Sequence, residues 1–305
     1  MQYFIGIDGG GTKTHLLCVN GENTTIGESF GGNSNFLMNG VETVSETIYN
    51  LINDFITQHK IPYPALCSVV IGTTGAGRVS DAQKLEKGVI EKFAQNNITL
   101  NDFRVVSDAR IALETAFPGV SGAILIAGTG SIMFGKTASG EILRVGGFGR
   151  FLGDEGSGFK IGQRGLRAVC KALDGRGEDT LIRELVAEKH DLRDVQGLIT
   201  AVYSGGFDIA STAPLVIEAA EKGDAAAIQI LEEESDNLLE HIAAMKKKFA
   251  GEQLKLSLVG STLTKPNRYS DLFKAKLSEK HPDVILQQTD LPPVMGAVYM
   301  AQEKK

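Results

Sequence analysis

Two hairpins rich in glycine and threonine, Gly9–Thr14 and Gly128–Ser131, constrain the fold of this chain most. Each follows a short apolar strand and leads into a second strand, a turn and a third strand. This repeated order predicts an internal duplication of one fold unit. The predicted strands are Tyr3–Asp8, His15–Asn20 and Thr25–Phe30 in the first copy, and Ala123–Ala127, Ile132–Gly135 and Ile142–Val145 in the second.

Helices are predicted to alternate with further strands along the rest of the chain. Apolar residues between Val41 and Ile56 recur at helical spacing, and Ser80 with Gln83 is typical of a capping box that opens the next helix. Pro292-Pro293 indicates the start of a final helix. The alternation predicts an α/β protein with a cleft between two domains. The other predicted strands are Ser68–Ile71, Arg104–Ser107, Leu254–Val259 and Val284–Gln287, and residues 159–249 are mostly helical.

The first hairpin predicts a phosphate-binding site. It is neither a P-loop nor a dinucleotide fingerprint, because a strand follows it where those motifs need a helix. Its successive backbone N–H groups and threonine hydroxyls suit an anion, and a carboxylate at Asp8 beside phosphates requires a bridging Mg²⁺. The alternative is a tight β-hairpin without a ligand. The residues predicted to bind phosphate are Gly10, Gly11, Thr12, Lys13 and Thr14.

The second hairpin lies at the duplicated position and is predicted to supply a second phosphate-binding turn, facing the first across the cleft. Alone, the sequence Gly-Thr-Gly-Ser is equally typical of a structural turn. Gly260 and Ser261 lie between a strand and a helix, where they could receive the adenosine part of a nucleotide or form a simple turn. The residues predicted to bind phosphate here are Gly128, Thr129, Gly130 and Ser131.

Asp108 is the candidate catalytic residue, because it follows a predicted parallel strand at the sheet edge where α/β proteins bind ligands. Phosphoryl transfer to an alcohol needs a carboxylate that orients the hydroxyl and accepts its proton. The alternative is that Asp108 only caps the following helix.

Residues 146–158 form a glycine-rich segment with adjacent carboxylates at Asp154 and Glu155. Paired carboxylates accept hydrogen bonds from vicinal hydroxyls, and Phe148 could stack on the face of a sugar. The alternative is a flexible loop whose acidic pair caps a helix.

Charge and composition exclude several partners. The net charge of −6 argues against nucleic acid and anionic membranes, and no apolar run approaches a membrane span. Three widely spaced cysteines, Cys18, Cys67 and Cys170, form neither a disulfide framework nor a CxxC site. The five histidines show no metal-binding spacing. We expect a cytoplasmic protein.

Together these segments resemble the actin/hexokinase/Hsp70 ATPase superfamily, and within it the BadF/BadG/BcrA/BcrD family that contains N-acetylglucosamine kinases. The most specific segment is Gly-Gly-Phe-Gly at 146–149 followed by Leu-Gly-Asp-Glu-Gly-Ser-Gly at 152–158, which is similar to the amino-sugar kinase signature. The other matching segments are Ile7–Thr14, Gly128–Ser131, Gly260-Ser261 and Gly296-Ala297.

The resemblance implies two duplicated ribonuclease H-like, actin-like ATPase domains. It places the first at 1–118, with a C-terminal helix at about 292–305 packing back on it, and the second at 119–291, with a helical insertion at about 159–250. It implies Asp108 as the catalytic base and Asp8 as the carboxylate that organises Mg²⁺ through water. The residues implied to contact the sugar are Asn35, Gly75, Gly147, Phe148, Asp154 and Glu155.

The implied activity is phosphorylation of the 6-hydroxyl of N-acetylglucosamine by ATP. N-acetylmuramic acid or glucosamine is the alternative substrate, and Arg78 and Arg150 are available for a lactyl carboxylate. A homodimer follows from family analogy alone. The alternative of another class is an ATPase that activates a dehydratase or reductase through an iron–sulfur cluster, although residues 146–158 contain no cysteine. An actin-like or chaperone-like ATPase ranks last.

Overall fold

The computed structural model describes residues 1–303, which form two compact units. The first unit combines residues 1–120 with the segment from Thr289 onward, and the second runs from Ser121 to Gln288. Within the described residues, no helix is both long and apolar enough to cross a bilayer.

The first unit contains a mixed five-stranded sheet in the order β3-β2-β1-β4-β5. Strand β1 is antiparallel to β2 and parallel to β4, so it lies at the centre of the sheet. Its neighbour β4 is in turn parallel to β5. The strands are β1 (Tyr3–Gly9), β2 (Thr14–Asn20), β3 (Thr25–Gly31), β4 (Leu66–Thr73) and β5 (Phe103–Ser107).

The second unit repeats this topology with the order β8-β7-β6-β9-β10. Strand β6 is antiparallel to β7 and parallel to β9, as β1 is to β2 and β4. The α/β class and the duplication predicted from the order of elements are therefore confirmed. The strands are β6 (Gly122–Ala127), β7 (Ser131–Lys136), β8 (Ile142–Gly146), β9 (Lys255–Val259) and β10 (Ile285–Leu286).

Helices cover the sheets in both units. Those of the first unit are α1 (Phe36–Asn39), α2 (Val41–His59), α3 (Val79–Gln95), α4 (Asp108–Ala116) and α12 (Val294–Gln302). Those of the second unit are α5 (Gly158–Leu173), α6 (Leu181–His190), α7 (Val195–Tyr203), α8 (Ala213–Glu221), α9 (Ala225–Lys248), α10 (Ser261–Thr264) and α11 (Arg268–Lys280).

Each unit has its own hydrophobic core. In the first, α2 and α3 pack on the sheet through Phe55 and Phe93, and the final helix α12 packs through Val294 and Val298. In the second, the long helix α9 supplies a buried apolar face at helical spacing. These cores fix the strand ends from which the loops described below project.

The capping box predicted at Ser80 is wrong. Helix α3 begins at Val79 after Arg78, which makes no side-chain capping bond, so Ser80 lies inside the first turn. Because Asp81 also lies in that turn, its negative charge complements the positive helix N-terminus instead.

Candidate functional site

The first hairpin presents its tip to solvent and anchors its base in the protein. Its turn is closed by the N–H of Gly10, which donates to the carbonyl of Lys13 at 3.0 Å. Gly11, Thr12 and Lys13 are exposed, whereas Thr14 is fully buried. The Thr14 hydroxyl donates to the Gly32 carbonyl at 2.6 Å. Of the predicted phosphate-binding residues, the tip therefore offers free donors and Thr14 holds the hairpin in place.

Two carboxylates of the first unit lie near each other at the carboxyl ends of parallel strands. Asp8 is near the end of β1, and Asp108 directly follows β5. Burial raises the pKa of the Asp8 carboxyl above its ordinary value, and the nearby charge of Asp108 raises it further, against opposing effects of His15 and Lys13. A divalent cation relieves such repulsion and prefers oxygen ligands, so this donor set fits Mg²⁺.

Asp108 is not the cap of its helix. That position belongs to Ser107, whose hydroxyl oxygen accepts the N–H of Arg110 at 3.2 Å. One carboxylate oxygen of Asp108 accepts the N–H of Ala109 at 2.8 Å, and the other accepts the hydroxyl of Thr74 at 3.0 Å. The Asp108 carboxylate is thus held in one orientation from both sides. Sequence reasoning missed Thr74, which immediately follows β4 and carries no motif of its own.

The two predicted sugar-contacting residues of the first unit share a neighbour in helix α1. The Asn35 side-chain oxygen accepts the N–H of Leu37 at 3.2 Å and so caps α1. Gly75 has a φ of +98°, and a Cβ atom there would lie 2.9 Å from Leu37 Cγ. The structure therefore brings Asn35 and Gly75 to the same short helix, and Gly75 adjoins Thr74 in the chain.

The second hairpin is tied to the start of helix α5. The N–H of Gly158 donates to the Gly128 carbonyl at 2.8 Å, and that of Phe159 donates to the Thr129 carbonyl at 3.1 Å. Ser157 caps α5 by accepting the N–H of Lys160. The positive end of the α5 dipole therefore lies at the glycine hairpin and favours bound anions there, although the first N–H groups of α5 already donate to the hairpin and to Ser157.

The acidic pair of the 146–158 loop also contacts this hairpin. The Asp154 carboxylate accepts the N–H of Ser131 at 3.3 Å, and the buried Ser131 hydroxyl donates to the Glu155 carbonyl at 2.6 Å. Asp154 adopts a φ of +61°, which its short polar side chain tolerates. The predicted phosphate and sugar segments of the second unit are therefore one hydrogen-bonded structure, in which Ser131 and Asp154 brace each other.

Buried groups fix the loop on its far side. The N–H of Gly156 donates to the Glu234 carboxylate at 2.8 Å, and the Tyr269 hydroxyl donates to the Gly156 carbonyl at 3.0 Å. Arg164 holds the other Glu234 oxygen at 3.0 Å. Burial, and secondarily the charge of Glu234, raises the pKa of Tyr269 well above its ordinary value, so its hydroxyl remains a donor.

Phe148 and Gly147 lie in the first part of the loop, where Phe148 is exposed and Gly147 is half-buried. Phe148 is 69% exposed, and the guanidinium of Arg144 lies 5.8 Å from its ring centre. A Cβ atom added at Gly153 would lie 3.1 Å from Phe148 Cβ and 3.5 Å from the Glu155 carboxylate. Phe148 and Glu155 therefore both lie near Gly153, and most of the Phe148 side chain is exposed.

A cavity of about 560 Å³ opens beside the second hairpin, entirely within the second unit. It brings together the predicted phosphate residues Gly128 and Thr129 and the predicted adenosine residue Ser261, and its volume is in the range of small-molecule sites. Sequence reasoning missed its other lining residues, which come from distant segments without a motif. They include Asp208, Ala210, Ser211, Ala213, Pro214, Ile217, Glu218, Lys265 and Asn267.

Comparison with known proteins identifies the family. The family model described as the BadF/BadG/BcrA/BcrD ATPase family matches residues 5–301. The chain belongs to this family. The match spans both units of the chain.

Two curated relatives and one solved structure show how close the likeness is. The N-acetylmuramic acid/N-acetylglucosamine kinase of Clostridium acetobutylicum is 32% identical over 309 residues, covering 100% of this chain and 99% of that protein. The N-acetyl-D-glucosamine kinase of Dictyostelium discoideum is 29% identical with the same coverage. A structure from Chromobacterium violaceum, assigned as an N-acetylglucosamine kinase, has a TM-score of 0.73 at 24% identity, with 99% of both chains covered, and shows the shared fold.

Proposed function

We propose that this protein is an ATP-dependent amino-sugar kinase that phosphorylates the 6-hydroxyl of N-acetylglucosamine. The family is one of ATPases, and both curated relatives are named as kinases that act on N-acetylglucosamine. The observation that carries the proposal is the fixed carboxylate of Asp108, held by Thr74 and by the start of α4 beside a second carboxylate, Asp8.

Asp108 acts as the base. Its carboxylate orients the sugar hydroxyl and accepts the hydroxyl proton as the oxygen forms a bond to the γ-phosphorus of ATP. The bond between that phosphorus and the β,γ-bridging oxygen breaks, and ADP leaves with the electron pair. Because the bonds from Thr74 and Ala109 hold the carboxylate before substrate arrives, little reorientation is needed in the transition state.

The nucleotide is assigned to the cavity of the second unit. The backbone of Gly128–Gly130 would bind phosphate oxygens, favoured by the positive end of the α5 dipole, and Gly260 and Ser261 would lie along the adenosine. In the first unit the exposed tip Gly10–Lys13 would bind phosphate as well. Asp8 would hold Mg²⁺, which when bound offsets the negative charge of the phosphates.

The residues proposed to contact the sugar are assigned separately for each unit. Asn35 and Gly75 would contact it in the first unit. In the second, Glu155 and the remaining lone pairs of Asp154 would accept its hydroxyls, while Gly147 and Phe148 would contact its apolar face.

The decisive experiment measures ADP release by purified protein with ATP, Mg²⁺ and N-acetylglucosamine. We expect sugar-dependent turnover that falls about 10²–10⁴-fold in Asp108→Asn, because the base is lost while the side-chain shape is kept. Asp54→Asn, an exposed change on α2, is the matched control and should be as active as the unchanged protein. Absence of sugar-stimulated turnover, or full activity in Asp108→Asn, would contradict the proposal.

N-acetylmuramic acid is a second candidate substrate, because the Clostridium relative is named for both sugars and an exposed cation is present in the loop. Arg150 is exposed, and its guanidinium lies 5.1 Å from the ring centre of Phe151, so its charge would be accessible to a lactyl carboxylate. Arg150→Ala should then reduce turnover of N-acetylmuramic acid and leave that of N-acetylglucosamine unchanged. The same comparison applies to the exposed Arg78. If Arg150→Ala and Arg78→Ala both turn over N-acetylmuramic acid as fast as the unchanged protein, neither arginine binds the lactyl carboxylate.

A further inference from the structure

A buried histidine lies beneath the 146–158 loop and has no place in the function proposed so far. His241 is on helix α9 and is only 5% exposed. Its Nδ1 atom is 3.4 Å from the Asn237 carbonyl, at the outer limit of hydrogen bonding. Its Nε2 atom is buried and has no hydrogen-bond partner within residues 1–303. Such an unpaired buried polar atom is costly, so a partner that binds at another stage of the reaction is expected.

The local backbone makes room for this imidazole. Gly146 has a φ of +69°, and a Cβ atom there would overlap Nε2 of His241. Any larger residue at 146 would therefore displace the ring from the start of the loop. The edge of the His241 imidazole therefore packs directly against the backbone at the start of the loop.

The carboxylate of Glu155 is the group that faces Nε2. Its Oε2 atom lies 3.9 Å from Nε2, and its side chain is 41% exposed. The separation exceeds hydrogen-bond length by about 1 Å, which a side-chain rotation can close. A neutral ring protonated at Nε2 and an imidazolium both place a hydrogen between the two atoms.

The main chain around Glu155 cannot move to the same extent. The Glu155 carbonyl accepts the Ser131 hydroxyl at 2.6 Å, and both backbone groups of the next residue, Gly156, are bonded to buried side chains. Only the Glu155 side chain is left to adjust. The orientation of the Glu155 carboxylate therefore depends on the buried group that it faces, which is Nε2 of His241.

We propose that His241 is a positioning residue for substrate binding. Its Nε2–H donates to Oε2 of Glu155 when the sugar is bound, and this fixes the carboxylate so that Oε1 accepts the sugar hydroxyls. His241 does not touch the sugar. The inference rests on the proposed function, and specifically on Glu155 as a sugar ligand.

An amide pair at position 241 provides the test. The amide nitrogen of His241→Gln reaches about as far as Nε2, whereas that of His241→Asn reaches only as far as Nδ1. We expect His241→Asn to raise the KM for N-acetylglucosamine about tenfold, as loss of a hydrogen bond to a charged group predicts, and to leave the KM for ATP unchanged. His241→Gln should keep the sugar KM within about twofold of the original.

A double-variant measurement separates positioning from a structural role. In a Glu155→Ala background the Asn substitution should no longer change the sugar KM, since its partner is absent. Three results would each overturn the inference. The sugar KM could rise equally in the presence and absence of Glu155, the ATP KM could rise in parallel, or the His241→Asn and His241→Gln variants could have the same sugar KM.

Failure of the proposed function gives a different result. A protein that neither binds amino sugars by calorimetry nor phosphorylates them would contradict the function itself. If turnover is normal and Glu155→Ala raises the sugar KM while His241→Asn has no effect, only the role of His241 is wrong.

Discussion

At the scale of single residues, the orientation of the Asp108 carboxylate depends on Thr74. The Thr74 hydroxyl is the side-chain donor to the Asp108 carboxylate, and the second bond comes from the start of α4. We expect Thr74→Val, which keeps the shape and removes the hydroxyl, to lower kcat about tenfold because a hydrogen bond to a charged group is lost. Thr74→Ser should retain most of the activity. Steady-state kinetics with saturating ATP provide the measurement, and equal kcat values for Val and Ser would exclude this role.

The proximity of Asp8 and Asp108 gives a second prediction at this scale. Burial and then the charge of Asp108 raise the pKa of Asp8, so removing that charge in Asp108→Asn should lower it. NMR titration of the Asp8 carboxyl carbon without Mg²⁺ measures the change. An unchanged Asp8 pKa in the variant would show that the two carboxylates do not interact.

The raised pKa of Asp8 also determines the direction in which the free energy of unfolding changes with pH. The folded protein binds a proton at Asp8 more tightly than the unfolded chain does. This group alone therefore makes the free energy of unfolding decrease as pH rises from the unfolded pKa through the folded one. Added Mg²⁺ should oppose the decrease, because a cation favours the ionised carboxylate.

At the scale of elements, the contact between α12 and α4 requires Gly296. A Cβ atom there would overlap the Ile111 carbonyl oxygen, and the Gly296 N–H donates to the Thr115 hydroxyl at 2.9 Å. Gly296→Ala should therefore destabilise the protein by about 3 kcal/mol, since two backbones must separate. Gly21→Ala is the control, because its Cβ would meet only ordinary contacts, the nearest at 3.7 Å, and should change stability by less than about 0.5 kcal/mol. Urea unfolding measures both, and equal midpoints would contradict the prediction.

At the scale of the whole molecule, the sequence predicts the duplicated strands better than the lining of the sites. The glycine hairpins and apolar strands are local patterns, so both sheets could be predicted from them. The four-residue helix α1 is too short for periodicity to reveal. Lys265 and Ile217 line the proposed nucleotide cavity only because separate segments meet there, and His241 has the spacing of an ordinary core residue. Such positions depend on tertiary packing, which no local pattern encodes.

The discontinuous first unit leads to a prediction about the chain as a whole. Helix α12 buries Val294, Val298 and Met300 in the first unit, at roughly 1.5–3 kcal/mol for each large side chain, against a typical total stability of about 5–15 kcal/mol. Ending the chain after Gln288 should therefore unfold the first unit. Among the described residues, none beyond that point belongs to the core or to the proposed nucleotide cavity of the second unit.

Limited proteolysis of the shortened protein distinguishes the two units. We expect rapid digestion of residues 1–120 and survival of a fragment close to 121–288, whose lifetime increases when ADP is added because a ligand of the folded state stabilises it. A chain that ends after Gln302, which keeps α12 complete, is the matched control and should resist protease as the full-length protein does. If both shortened chains resist equally, α12 is dispensable for the first unit; if ADP protects neither fragment, the nucleotide does not bind in the second unit alone.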